Sequence, residues 1–138
     1  MGDSRLVSIP TWVPVVAAAL RDPAGRVLLQ ERPAGKHHGG MWELPGGKVE
    51  TIENPRLALV REIAEELGIQ IQTGDLTPLG FADEGGESTI VLFLYNCRRW
   101  QGEVQALEGQ KWGWFTLAEA ARLPLAPMDA DLLRRISD

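Results

Sequence analysis

The chain has 138 residues, 44% of them hydrophobic and 24% charged, and is expected to form one compact soluble domain, residues 1–138, around one core. A formal net charge of -5 offers no basic field to hold DNA or RNA, so a polyphosphate would need a cation as go-between. Cys97 is the only cysteine, which excludes an internal disulfide. No apolar run reaches membrane-spanning length and residues 1–12 hold no signal core, so a cytoplasmic setting is expected.

In chain order, residues 12–20 are apolar and β-branched and predict a strand. Asp22-Pro23-Ala24-Gly25 is a turn signal, and residues 27–31 resume a strand, so the two are expected to pair as a hairpin. Residues 33–41 read as a loop of Gly, Lys and His. Its adjacent His37 and His38 lack a third ligand in view, and a solvated loop is preferred to a zinc site. Pro45-Gly46-Gly47 marks a tight bend.

Asn54 as N-cap and Pro55 at the first position open a helix that runs to Leu67 and stops at Gly68. A short strand is expected over 69–71. Residues 89–97 form a near-continuous apolar run, as in a sheet covered on both faces. Residues 112–115 predict a further strand, and residues 116–123 and 129–136 two closing helices. Strands and helices interleave, so the class is α/β or α+β with a mixed sheet.

The helix carries the most informative residues. At 100° per residue, Glu62, Glu65 and Glu66 share one arc of about 100°. Leu57, Val60, Ile63, Ala64 and Leu67 fall opposite and are expected to be buried. The acidic pairs at i,i+3 and i,i+4 each cost roughly 0.2–0.5 kcal/mol in an isolated helix. A solvated acidic face would account for them; so would oxygen ligands converging on a hard divalent cation. The flanks favour the cation. Gly46 and Gly47 allow close backbone approach, and Glu53 adds a fourth carboxylate at the helix entrance.

Gly47, Glu53 and the run Arg61-Glu62-Ile63-Ala64-Glu65-Glu66-Leu67-Gly68-Ile69 together resemble the Nudix box, residues 47–69, at every defining position. The resemblance continues outward. Residues 42–50 look like the MutT-type approach to the box, and residues 29–33 like the strand that carries an Arg in that branch. Glu108-Gly109-Gln110 looks like a loop supplying one more carboxylate. Residues 123–133 are similar to the bacterial CTP pyrophosphohydrolase branch, near the 8-oxo-dGTP diphosphatases. Two departures are Ile52, where the family usually has Gly, and Ala130-Asp131, where relatives tend to have an apolar residue and Pro.

The resemblance implies the Nudix αβα sandwich, with a mixed sheet between helices. It also implies hydrolysis of a nucleoside triphosphate, oxidised or of the CTP type, to a monophosphate and pyrophosphate. Mg²⁺ is the implied cofactor, with Mn²⁺ as a substitute. The implied ligands are Glu62, Glu66 and the Gly46 carbonyl oxygen, then Glu65 and Glu108. Glu65, Glu108 and Glu53 are candidates for the general base, and Arg61 for orienting the carboxylates, with an ordinary helix salt bridge as its alternative. Arg32 and Lys48 are candidate contacts for the triphosphate beside Gly47, with a solvated charge as the alternative for each. Leu44 and Asp129 are candidates for the base pocket; core packing for Leu44 and an N-cap for Asp129 are the alternatives. Trp42, Trp112 and Trp114 suit a core better than a stacked base.

The box is shared by hydrolases of nucleotide sugars and dinucleoside polyphosphates, so it does not separate substrates. A non-catalytic nucleotide-binding module would be expected to have lost box carboxylates, and none is lost here. The expected partner is a small nucleotide, with no stable nucleic acid and no membrane, for a monomer or homodimer.

Overall fold

The computed structural model describes residues 11–136; the reading of residues 1–10 as lacking a signal core lies outside them. The described strands form two sheets. In the first, β1 (Val13–Leu20) pairs antiparallel with β4 (Gly46–Lys48) and parallel with β6 (Ile90–Cys97), and β6 pairs antiparallel with β5 (Leu76–Asp83). The second sheet is antiparallel, with β2 (Val27–Glu31) between β3 (Trp42–Glu43) and β7 (Trp112–Phe115). The expected mixed sheet is therefore the four-stranded one, and a second sheet accompanies it.

The expected β1/β2 hairpin does not form. Its turn does: Asp22 Oδ1 accepts from the Ala24 and Arg26 N–H groups at 3.0 and 2.8 Å, and Gly25 sits at φ 83°. Beyond one Arg21–Val27 bridge the strands part into different sheets, because β4 and β6 already occupy both edges of β1. Residues 69–71 make only a Gln70–Gln101 bridge, and the Trp42–Val49 stretch divides between the two sheets. Strand β5 was not expected. It carries Pro78 and Gly80 beside a bulge, which an edge strand tolerates.

α1 (Pro55–Leu67) has the expected bounds. Asn54 Oδ1 accepts from the Leu57 N–H at 3.0 Å, Pro55 stands at the first position and Gly68 closes the helix at φ 69°. Its buried face is rotated from the expected one. Ala58, Leu59, Ile63, Glu66 and Leu67 are buried, and Leu57 is exposed, because the helix lies across β1 and β4. α2 (Leu117–Ala120) is shorter than expected and begins with a Thr116–Glu119 capping box. α3 (Pro127–Leu133) starts after Ala126, so Asp129 is the third helical residue and not the N-cap.

β1 explains the layering. Successive side chains of a strand point to opposite faces. Val16, Ala18 and Leu20 pack with Ile63 and Leu67 of α1, whereas Ala17 and Ala19 pack with Leu132 and Leu133 of α3 and Ala120 of α2. The sheets are thus covered by α1 on one side and by α2 and α3 on the other, with a core layer on each side where one was expected. Each fully buried Leu in these layers contributes about 1.5–3 kcal/mol.

Candidate active site

The site is built where β4 runs beside β1 and under α1. Both glycines of β4 are required by space. A Cβ on Gly46 would overlap the Val16 carbonyl oxygen, and one on Gly47 would overlap the Glu62 carboxylate. Backbone and carboxylate can meet here because no side chain stands between them.

Glu66, buried at 7% exposure, faces this backbone. Its Oε1 accepts from the Gly46 N–H at 3.2 Å and from Gln30 Nε2 at 3.1 Å. Gln110 Nε2 donates to both Gln30 Oε1 (3.1 Å) and the Glu66 carbonyl oxygen (3.0 Å), tying the 108–110 loop to the helix. Burial pushes the Glu66 carboxyl well up, and the charges of Glu62 and Glu108 push the same way, against the Gln30 hydrogen bond. Burial also raises Glu62, opposed by Arg61. The donors to Glu66 are neutral, so these crowded acids have a deficit of positive charge. That donor set suits a divalent cation with a preference for oxygen.

Arg61 organises the outer half of the cluster. Its Nε and Nη2 donate to the two oxygens of Glu53 at 2.6 and 2.8 Å, Nη1 reaches Glu62 and Glu65 at 3.2 Å, and Nη2 reaches the Lys48 carbonyl at 3.1 Å. The Arg61 hydrogen bonds hold the Glu53 carboxyl down to about 2. A fork–fork pair of this kind fixes direction as well as charge.

A cleft of ≈ 400 Å³ opens over these groups. Its walls hold the acidic and glycine group Gly46, Gly47, Glu62, Glu66 and Glu108, the apolar group Leu44, Leu92 and Met128 with the buried Asp129, and the cations Arg32, Lys36 and Lys48. Beside the apolar group the Leu44 N–H donates to Asp129 Oδ2 at 2.9 Å. Burial pushes the Asp129 carboxyl up to about 7, in spite of that bond. Arg32 is held by Glu43 Oε1 and by the His37 carbonyl oxygen, both at 2.6 Å.

The structure therefore brings Arg32, Leu44, Gly46, Gly47, Lys48, Glu62, Glu66, Glu108 and Asp129 to one cleft. Glu53 and Glu65 stand beside it on Arg61; Glu65 is exposed. Glu66 is not on an open polar face, as the helical wheel had it, but in the buried wall. Trp42 packs edge-on to Phe115 at 5.5 Å and Trp114 stacks on Trp100 at 5.7 Å, while Trp112 packs against the α1 core layer, so all three are packed within the fold. Sequence reasoning missed Gln30 as part of the site. A polar residue closing the apolar run Val27-Leu28-Leu29 was the available signal.

The NUDIX domain family matches residues 11–136. The chain is 41% identical to the CTP pyrophosphohydrolase of Escherichia coli K12 over 118 residues, covering 86% of this chain and 87% of that protein. It is 33% identical to the 8-oxo-dGTP diphosphatase of Haemophilus influenzae, covering 90% of each. Among solved structures, the E. coli ORF135 protein aligns with a TM-score of 0.77 at 38% identity, covering 90% of this chain and 87% of that one. A MutT NUDIX hydrolase from Burkholderia pseudomallei aligns with a TM-score of 0.81 at 30% identity, covering 91% and 98%.

With a glycine-lined strand set against a carboxylate helix in this αβα arrangement, the chain belongs to the Nudix family. More narrowly, it is a MutT-like hydrolase of phosphoanhydride bonds. Nudix hydrolases generally use divalent metal ions and act on small nucleotide substrates. None of the helices among the described residues is long and apolar enough to cross a membrane.

Proposed function

We propose that this enzyme is a Mg²⁺-dependent nucleoside triphosphate pyrophosphohydrolase, releasing a nucleoside monophosphate and pyrophosphate. The observation that carries the reading is that one cleft joins acidic side chains and glycine backbone to an apolar group with a buried carboxyl, Asp129. A nucleotide likewise joins a triphosphate, which calls for cations, to a base, which calls for an apolar seat.

Glu62, Glu66 and the Gly46 carbonyl oxygen would hold Mg²⁺ or Mn²⁺, with Glu65 and Glu108 as further ligands. When bound, the metal supplies charge neutralisation for the phosphates and Lewis acidity for the attacking water. Arg32 and Lys48 offer cationic contacts along the cleft wall, and Gly47 lets the backbone approach the phosphates. A carboxylate must accept the water's proton. Glu53, held low by Arg61, is a weak base and serves better to fix the guanidinium. Glu108 lines the cleft and is the better candidate; Glu65 is the second.

Leu44 and Met128 give the base an apolar seat, and Asp129 can present an O–H or an anionic oxygen to a base edge. The relatives named above support a free nucleotide, either an oxidised purine such as 8-oxo-dGTP or a CTP-type pyrimidine. On this reading the enzyme works in the cytoplasm, as a monomer or homodimer, with no stable nucleic-acid or membrane partner.

The test is pyrophosphate release with Mg²⁺ over normal, oxidised and methylated nucleoside triphosphates, with nucleotide sugars and dinucleoside polyphosphates alongside. Preference for one triphosphate is expected. Turnover confined to the sugars or dinucleotides would move the enzyme to another Nudix substrate, and nucleotide binding without turnover would make it a binding module.

A further inference from the structure

We propose that His37, His38 and Glu84 form a second cation site, distinct from the box carboxylates and selective for a zinc-class ion. One ligand atom from each residue lies within 4.8 Å of the other two. The site joins separate parts of the chain: the histidines lie on the loop after β2, in the three-stranded sheet, and Glu84 follows β5, in the four-stranded sheet. All three residues stand on the wall of the cleft.

Two further observations describe how the loop gathers these groups. His38 is the one non-glycine residue at positive φ among the described residues, at 58°. Adjacent side chains in extended backbone point apart. Here the left-handed turn at His38 accompanies imidazole rings whose centroids are 3.8 Å apart. Histidine visits this region more readily than most residues, and the turn it makes here accompanies the approach of the two rings. In addition, His38 Nε2 is 2.9 Å from Glu84 Oε1. One divalent ion would satisfy both nitrogens in their neutral form while Glu84 balances its charge.

Two nitrogens and one carboxylate oxygen suit Zn²⁺ and disfavour Mg²⁺, which selects oxygen. A tetrahedral ion holds its ligand atoms roughly 3.4 Å apart, so no separation here would have to close by more than roughly 1.4 Å, within the reach of side-chain adjustment on two loops. Three protein ligands leave one position for water or a phosphate oxygen. The ion would staple the two sheets together across the cleft.

The experiment uses tag-free, chelator-stripped protein, titrated with Zn²⁺ by calorimetry in excess Mg²⁺, with Co²⁺ as a visible-absorption probe of geometry. One equivalent of Zn²⁺ should bind, and Co²⁺ should show the intense bands of a four-coordinate ion. His38→Gln and Glu84→Gln should each weaken Zn²⁺ by more than about tenfold, since even outer partners of a metal ligand are worth about 10–100-fold. Glu66→Gln should leave Zn²⁺ binding intact. Unchanged affinity in both loop variants, loss of the site in Glu66→Gln, or no binding by the unaltered protein would each overturn the proposal. Circular dichroism of each variant separates ligand loss from misfolding. The result is independent of which nucleotide the enzyme hydrolyses.

Discussion

Glu66 is a carboxyl that the fold buries before anything neutralises it, and this sets the expected behaviour of its variants. Glu62→Gln and Glu66→Gln should each lower kcat by about 100-fold or more, measured as pyrophosphate release at saturating Mg²⁺, because on the proposed reading each removes an anionic oxygen that would hold the metal, and the metal would offset the phosphate charge. Glu66→Gln should also raise the melting temperature in Mg²⁺-free buffer, since it removes a buried acid crowded by Glu62 and Glu108. Near-normal turnover in either variant would end their assignment as ligands. Gln110→Ala removes a bond to Gln30 and one to the Glu66 carbonyl. The Mg²⁺ concentration for half-maximal rate should then rise by about 10–100-fold, with the fold intact.

Asp129 gives the clearest pH dependence. Its carboxyl is raised from an ordinary 3.8 to about 7. Between those values the folded protein keeps a proton that the unfolded chain releases. The group's contribution is therefore most favourable below pH 4 and is lost as pH rises towards 7, with an upper bound of about 4 kcal/mol. Asp129→Asn should be more stable than the parent at pH 8, and the gap should narrow at pH 5. A gap that stays constant across that range would mean the carboxyl does not titrate there. At this scale the sequence was most legible where roles are local. The box residues share one helix and its flanks, whereas the partnership of Glu66 with Gln30 depends on how β2 is placed, which no local pattern encodes.

At the scale of the element, β4 and α1 act as one device. Gly46→Ala should lower stability by about 1–3 kcal/mol or more in thermal unfolding, because the new methyl group meets strand backbone that cannot turn aside. Gly47→Ala meets the end of a flexible side chain instead. It should cost activity far more than stability, by displacing Glu62. Equal losses of stability in the two variants would contradict this division. α1 was legible from end to end because Asn54, Pro55 and Gly68 mark its limits chemically. β5 was not, since Pro78 and Gly80 are poor strand formers and its pairing with β6 alone makes it a strand. The β1/β2 turn was recognised and the hairpin was not formed, because a turn signal states that the chain reverses and not which strand it will pair with afterwards.

Over the whole molecule, an acidic enzyme is expected to process a polyanion. A net charge of -5 and a triphosphate of similar sign repel at distance, so encounter depends on cations at the cleft and on Arg32 and Lys48. The fold class, the helix and the chemistry of the box could be read from sequence. The division into two sheets could not, because it rests on pairings between distant segments.

One such pairing bears on how the enzyme comes into being. β1 and β6 lie side by side at a constant offset of 77 residues, with Val13 opposite Ile90 and Leu20 opposite Cys97. Parallel pairing over so long a loop is slow to nucleate, since the entropy of closure is lost before the contacts form. On the ribosome, α1 emerges long before the strand that completes the sheet beneath it. Its carboxylates would lie over β1 and β4 while the other neighbour of β1 is still missing, until residue 97 is available. The cleft is therefore among the last features to mature, and a chain cut short before β6 would carry the whole box and no enzyme.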